Sequence, residues 1–137
     1  MKLEQQVCNQ ELSKRLKELG VKQESLYYHE WHKDSEKPND SMITYTVGDM
    51  VKVHEAWEFA SAFTVAELGE MLKDVKVKWK PHDKFQDENL VLKFWLTEIR
   101  LVSDKSEKIE HRAIANTEAD ARGKMLIYLL ENNLIKP

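Results

Sequence analysis

NTEADARGKMLIYLLENNLI, residues 116–135, carries the strongest helical pattern in the chain and the most apolar surface to bury. On a wheel of about 100° per residue, Asp120, Lys124 and Glu131 crowd into one narrow sector. Ala119, Met125, Leu126, Ile127, Leu129 and Leu130 fill most of the remainder. A helix with so thin a wet face is buried on more than one side. Thr117 with Asp120 three positions on resembles a capping box, with Asp where Glu or Gln is usual, so a start at Glu118 is predicted. Asn132-Asn133 tolerates a left-handed turn and predicts a stop near Asn132. Gly123 costs roughly 1 kcal/mol against Ala inside a helix and is expected where this helix crosses a sheet.

Working outward, LEQQVCNQELSKRLKELG at residues 3–20 places Cys8, Leu12, Leu16 and Leu19 in one stripe. It predicts a single surface helix closed by Gly20. ESLYYHEWH, residues 24–32, is aromatic enough to favour a strand, with Tyr27, His29 and Trp31 on one face. Residues 33–41 are turn-rich. Ile43, Tyr45 and Val47 alternate with threonines, and Gly48-Asp49 suggests a hairpin into residues 50–53. Residues 54–62 lack a period and are read as a crossing to the next helix.

That helix has the clearest local code: Thr64 and Glu67 form a capping box, with Phe63 stapled against Leu68. Val75, Val77 and Trp79 alternate with Lys76, Lys78 and Lys80, giving a strand expected to end at Pro81. A polar turn, HDKFQDEN, follows. Leu90, Leu92, Phe94 and Leu96 share one parity and Ile99 and Leu101 the other, which predicts a bulge or sharp bend near Thr97-Glu98. SDKSE then turns into a last strand over residues 108–115. The pattern is helix, three strands, short helix, three strands, long helix. Residues 1–137 are expected to form a single α+β domain, a mostly antiparallel sheet packed sandwich-like with N-terminal, short central and long C-terminal helices.

Composition narrows the function classes. A chain of 137 residues buries about two thirds of its unfolded surface. One cysteine, Cys8, excludes an intramolecular disulfide, and the absence of an opening signal-like segment makes a reducing cytoplasm the expected setting. Nothing resembles a membrane span. A net charge of −3 gives no global attraction to nucleic acid, so any basic site is local.

The single basic patch runs from Lys73 through Lys76, Lys78 and Lys80 to Lys84, with Trp79 and Phe85 between. Lysines beside rings can hold phosphate while a base stacks. Trp79, however, shares the inward parity of Val75 and Val77, and lysines along a strand commonly guard a sheet edge. The nucleic-acid reading on Lys76, Lys78 and Lys80 is therefore the alternative. His29 and His32 fall on opposite strand faces, so no metal site is expected, and no cofactor. Cys8 lies on the apolar stripe as a small hydrophobe, no phosphate loop or nucleophile elbow occurs, and no catalytic residue is nominated. A site assembled from dispersed residues is the weaker alternative. Tyr27, Trp31 and Trp57, which lie where amphipathicity is poor, and Arg122 are the candidate partner-binding residues. Arg122, on an otherwise apolar arc, either snorkels or pairs with a buried acid.

VCNQELSKRLKELGVKQESLYYH, SAFTVAELGEML and TEADARGKMLIYLLENNLI together resemble a group of small phage, prophage and gut-bacterial proteins. The closing helix and the aromatic segment are similar to the phage ABA-sandwich domain, a sheet between helices. The resemblance implies no catalytic residues. The expected function is a non-catalytic interaction protein inside a bacterial cell, with an unidentified protein partner, no membrane, and a monomeric or homodimeric state.

Overall fold

The computed structural model describes residues 2–34, 42–45, 57–86, 93–102 and 108–137. The order is α1 Leu3–Gln6, α2 Gln10–Glu18, β1 Tyr27–His32, β2 Met42–Tyr45, β3 Trp57–Ser61, α3 Val65–Met71, β4 Val77–Gln86, β5 Lys93–Val102, β6 Ile109–Ala115 and α4 Glu118–Glu131. The strands form two antiparallel three-stranded sheets, β2-β1-β3 and β4-β5-β6. This is an α+β fold. The hairpin arm at residues 46–53, most of the 33–41 loop, Leu90, Leu92 and the SDKSE turn lie outside the described residues.

α4 begins and ends where its local code dictates. Thr117 accepts from the Asp120 amide, and Asn133 takes φ 54° just past the last turn. Leu134 N–H reaches Leu129 O at 2.9 Å and Asn133 N–H reaches Leu130 O at 3.1 Å, the paired bonds of a Schellman ending. α2 ends the same way: Gly20 at φ 86°, Val21 N–H to Leu16 O and Gly20 N–H to Lys17 O.

α4 is covered by β5 and β6 on one side and by α2 and α3 elsewhere, and α2 in turn meets β3. The helices thus lie between the two sheets. Ile99, Leu101, Ala113 and Ala115 present one face of the second sheet to Met125, Leu126 and Leu129 in a common core. Leu126, Leu129 and Leu130 are buried within the chain itself, with Ile127 and Tyr128 partly buried beside them.

Gly123 has a different use from the one expected. A Cβ built on it would stand 2.6 Å from Cys8 Sγ and 3.6 Å from Leu12 Cδ1, so it admits α2 rather than a sheet. Asp120 Oδ1 accepts the Asn9 amide at 2.7 Å, and Glu131 accepts Arg15 Nη2 at 2.7 Å. The two helices are therefore stitched at both ends and run in the same direction.

Four other expectations are corrected. The opening segment is two helices, because the chain extends at Val7, where it bridges to Thr64, and Cys8 N–H donates to Phe63 O at 2.8 Å. Asn9 then caps α2 by accepting from Leu12 N–H. Residues 57–61 form a strand, β3, whose pairing with β1 supplies the order that its pattern lacks. β4 continues through Pro81 to Gln86; among the described residues β4 is an edge strand, where a missing N–H is tolerated. The register of β5 with both neighbours is unbroken from Thr97 to Leu101. The extra residue sits in β4 between His82 and Phe85, and a second irregularity falls at Leu101/Val102.

Candidate aromatic–lysine binding cleft

β1 places alternate side chains on opposite faces of the first sheet. His29 and Trp31 point to the helices and are buried, whereas Tyr28, Glu30 and His32 belong to the other face. β3 lies beside β1 and, among the described residues, is an edge strand, with Glu58 opposite Trp31 and Trp57 opposite His32. α2 packs along that edge, and its Lys14 and Lys17 are three positions apart on one helical face.

The result is an open cleft of about 530 Å³ that wraps the outer edge of β3. Trp31 and Phe59 enter it from opposite faces of the sheet. Lys14 Nζ stands 4.2 Å over the Trp31 ring, and Lys17 Nζ stands 4.5 Å over the Phe59 ring. Both distances are within the range at which a ring quadrupole attracts an ammonium. Lys17 also donates to Phe59 O at 2.5 Å. Trp57 meets His32 edge to face at 5.4 Å, and Lys33 also lines the cleft.

Among the described residues two carboxylates share the cleft with these three lysines, and each is engaged. Glu58 accepts from Trp31 Nε1 at 3.1 Å, and Glu18 accepts from Arg15 at 3.0 Å. Among the described residues the lining is thus basic in balance, within a chain of net charge −3.

Trp31 and Trp57, chosen from the sequence, come together here. Tyr27 is half-buried near the other end of β1, paired with Tyr45 across the sheet. Arg122 belongs to a different seam. It bonds Glu118 through Nε at 2.9 Å and Nη2 at 2.6 Å, both side chains being largely covered, and its Nη1 fills the space over Gly69 where a Cβ would be 3.0 Å away. Its acid partner, Glu118, is partly exposed rather than the buried acid expected.

Lys76 is exposed and its carbonyl accepts from Val102 N–H. Lys78 and Lys80 pair through their backbones with Arg100 and Glu98 on the edge strand β4, and their side chains lie outside the described part of the structure. Lys14, Lys17, Lys33 and Phe59 were not legible as site residues. On α2 the lysines look like an ordinary solvated face, and only the packing of α2 against β3 sets them over rings.

The groups with nucleophile or base chemistry are tied into structure. Cys8 is fully buried; burial and the nearby Asp120 carboxylate push its thiol far up, against weaker hydrogen bonds that lower it. His29 lies against Cys8 O at 2.6 Å, a distance at which Nε2 donates to the carbonyl, and burial holds its pKa below the ordinary value. Among the described residues no helix is long and apolar enough to cross a membrane. Comparison with family models, curated proteins and solved structures finds no match.

Proposed function

We propose that the chain is a non-catalytic interaction protein of phage or mobile-element type, acting inside a bacterial cell, and that it holds a protein partner in the α2–β1–β3 cleft. The carrying observation is the convergence of Trp31, Trp57 and Phe59 with Lys14, Lys17 and Lys33 in that cleft. Tryptophans with charged neighbours at a concave surface are the usual energetic anchors of protein interfaces. The phage-type setting is supported by the three segments that resemble phage and prophage proteins. The non-catalytic reading is supported by Cys8, whose thiol is buried and disfavours the thiolate a nucleophile needs. Among the described residues β4 is an edge strand, and lysines in the sequence of an edge strand commonly guard it against pairing, which favours the protein-binding reading over nucleic-acid binding there.

Site-specific photocrosslinking tests the reading. A photoreactive residue in place of Lys33 should capture a discrete protein from bacterial lysate, and the product should disappear in the folded Trp57→Ala variant. Capture from Ile114, which is exposed on β6, with none from position 33, would overturn it.

A further inference from the structure

We infer that His32 makes the α2–β1–β3 cleft pH-responsive: neutral, it fixes the turn that carries Lys33 and the wall formed by Trp57, and protonation releases both and weakens the hold on a protein partner. This regulation rests on the protein-docking reading above.

His32 ends β1, and its half-buried ring has two engagements. Its Nδ1 lies 3.2 Å from the Asp34 amide. A backbone N–H can only donate, so Nδ1 accepts, and the proton of the neutral ring sits on Nε2. The ring also packs against Trp57, its register partner on β3, with centroids 5.4 Å apart and planes at 84°. Trp57 and Lys33 both line the cleft. His32 therefore acts on the cleft through its two neighbours.

Protonation changes both engagements. The added proton goes to Nδ1, the nitrogen that accepts, and two donors then face each other across the Asp34 contact. The turn loses the bond that sets Lys33. A charged ring also attracts the Asp34 carboxylate in place of its amide, so the turn rearranges rather than simply loosening. At the same time the ring beside Trp57 becomes a cation within about 6 Å of an indole centroid, the range of cation–π attraction. It then competes with a partner for the indole. Histidine changes charge between about pH 5 and pH 8, which sets the interval of the response.

The charged groups around His32 come from three elements among the described residues. Glu30 lies two positions back on the same face of β1, and Lys33 and Asp34 follow in the turn. On β3, Glu58 belongs to the opposite face and accepts from the Trp31 indole at 3.1 Å. α2 adds Lys14, Lys17 and Glu18 across the cleft.

The test follows the full chain from about pH 7.5 to about pH 5.5, by NMR and by photocrosslinking from position 33. In the native protein the Asp34 amide and the Trp57 indole N–H should shift together, with the midpoint of the His32 ring and not that of the His29 ring. Capture of the partner should fall about threefold or more over the same interval. His32→Asn puts a carbonyl oxygen near the place of Nδ1 without a titrating group, so its Asp34 amide and its capture should stay steady. His32→Phe keeps a ring against Trp57 without an acceptor, and its Asp34 amide should exchange fast with solvent at every pH.

Asp34 and Trp57 resonances that stay still while the His32 ring titrates overturn the inference, as does an equal fall of capture in His32→Asn. The native titration decides alone where a variant fails to fold. If the resonances respond but position 33 captures nothing at any pH, the docking reading falls and the regulation with it. If capture is strong and equal across the interval, the regulation alone falls.

Discussion

Gly123 on α4 faces Cys8 at the entry to α2 so closely that a Cβ at position 123 would stand 2.6 Å from the Cys8 sulfur. Neither side has room to yield. The Cys8 amide donates to Phe63 O, and its carbonyl lies 2.6 Å from His29 Nε2 and takes the Ser13 hydroxyl. One glycine thus permits the contact that brings α4, α2 and the first sheet together.

Gly123→Ala sets two effects against each other. Helix propensity favours Ala by about 1 kcal/mol, whereas overpacking a rigid core costs about 1–3 kcal/mol. With Cys8 fixed by three backbone contacts, overpacking wins. Urea unfolding should show a net loss of about 1 kcal/mol or more for Gly123→Ala in the native background. In a Cys8→Ala background the sulfur is gone, so the same change should cost less or become stabilising. An identical cost in both backgrounds would show that the sulfur is not what Gly123 avoids.

Glu67 does more than close its capping box. Its Oε2 accepts from Thr64 N–H at 2.7 Å, Thr64 Oγ1 at 2.9 Å and Ser25 Oγ at 3.0 Å, and its Oε1 accepts from Leu26 N–H at 3.0 Å. One carboxylate therefore joins the start of α3 to the entry of β1. In Glu67→Gln one acceptor becomes an NH2 facing donors, a loss of about 1–3 kcal/mol. Thr64→Ala removes the N-cap and should cost about 1 kcal/mol. Hydrogen exchange at Leu26 should accelerate in Glu67→Gln and stay near native in Thr64→Ala. Unchanged Leu26 exchange in Glu67→Gln would show that the bond across the two elements contributes nothing.

What was readable in advance is what neighbouring residues decide among themselves. The box at Thr64 and Glu67, the start of α4 after Thr117 and the Gly20 ending each rest on bonds spanning a few positions. β3 is not legible in the sequence because Trp57–Ser61 has no clean alternation. It buries the adjacent Ala60 and Ser61, and its strand state comes from β1, distant in sequence. The break at Val7 was hidden by Cys8, which fits the apolar stripe of a continuous helix although it is buried for another reason. Trp31 and Trp57 stand out because each lies in a segment without clean amphipathicity. The lysines that complete the cleft do not, since a solvated helix face and a rim over aromatic rings share one pattern.

His29 gives stability a pH dependence of defined sign. Burial lowers its pKa from the ordinary 6.5, outweighing the Cys8 carbonyl and Asp120, which raise it, while Lys14 lowers it further. The unfolded chain therefore binds the proton at a higher pH than the folded one. Stability is fully present above about pH 6.5 and is lost as pH falls from there through the depressed folded value. Burial shifts His111, stacked on Tyr128 at 3.6 Å, in the same direction. Urea midpoints between about pH 7.5 and pH 5 should fall. His29→Gln retains a donor for the Cys8 carbonyl and should flatten part of that slope, and His111→Phe, which preserves stacking, a further part. A His29→Gln curve parallel to the native one would remove His29 from the account.

α2 and α4 end in the same hydrogen-bonded motif with different residues in the left-handed position, Gly20 at φ 86° and Asn133 at φ 54°. At Gly20 an added Cβ meets nothing nearer than Pro137 Cγ at 3.5 Å, an ordinary contact. Any penalty for a side chain there is conformational rather than steric. Gly20→Ala should then cost about 1 kcal/mol through its left-handed backbone. Gly20→Asn should cost less, because Asn visits that region through local hydrogen bonding. At the other helix Asn133→Gly should be neutral or slightly stabilising, and Asn133→Val should be the most damaging of the set, since a β-branched residue is least tolerant of positive φ. Thermal unfolding of the four variants orders them directly. If Gly20→Ala and Gly20→Asn lose equal stability, the backbone angle is not the source of the loss, and the contact with Pro137 at the chain's end must be reconsidered.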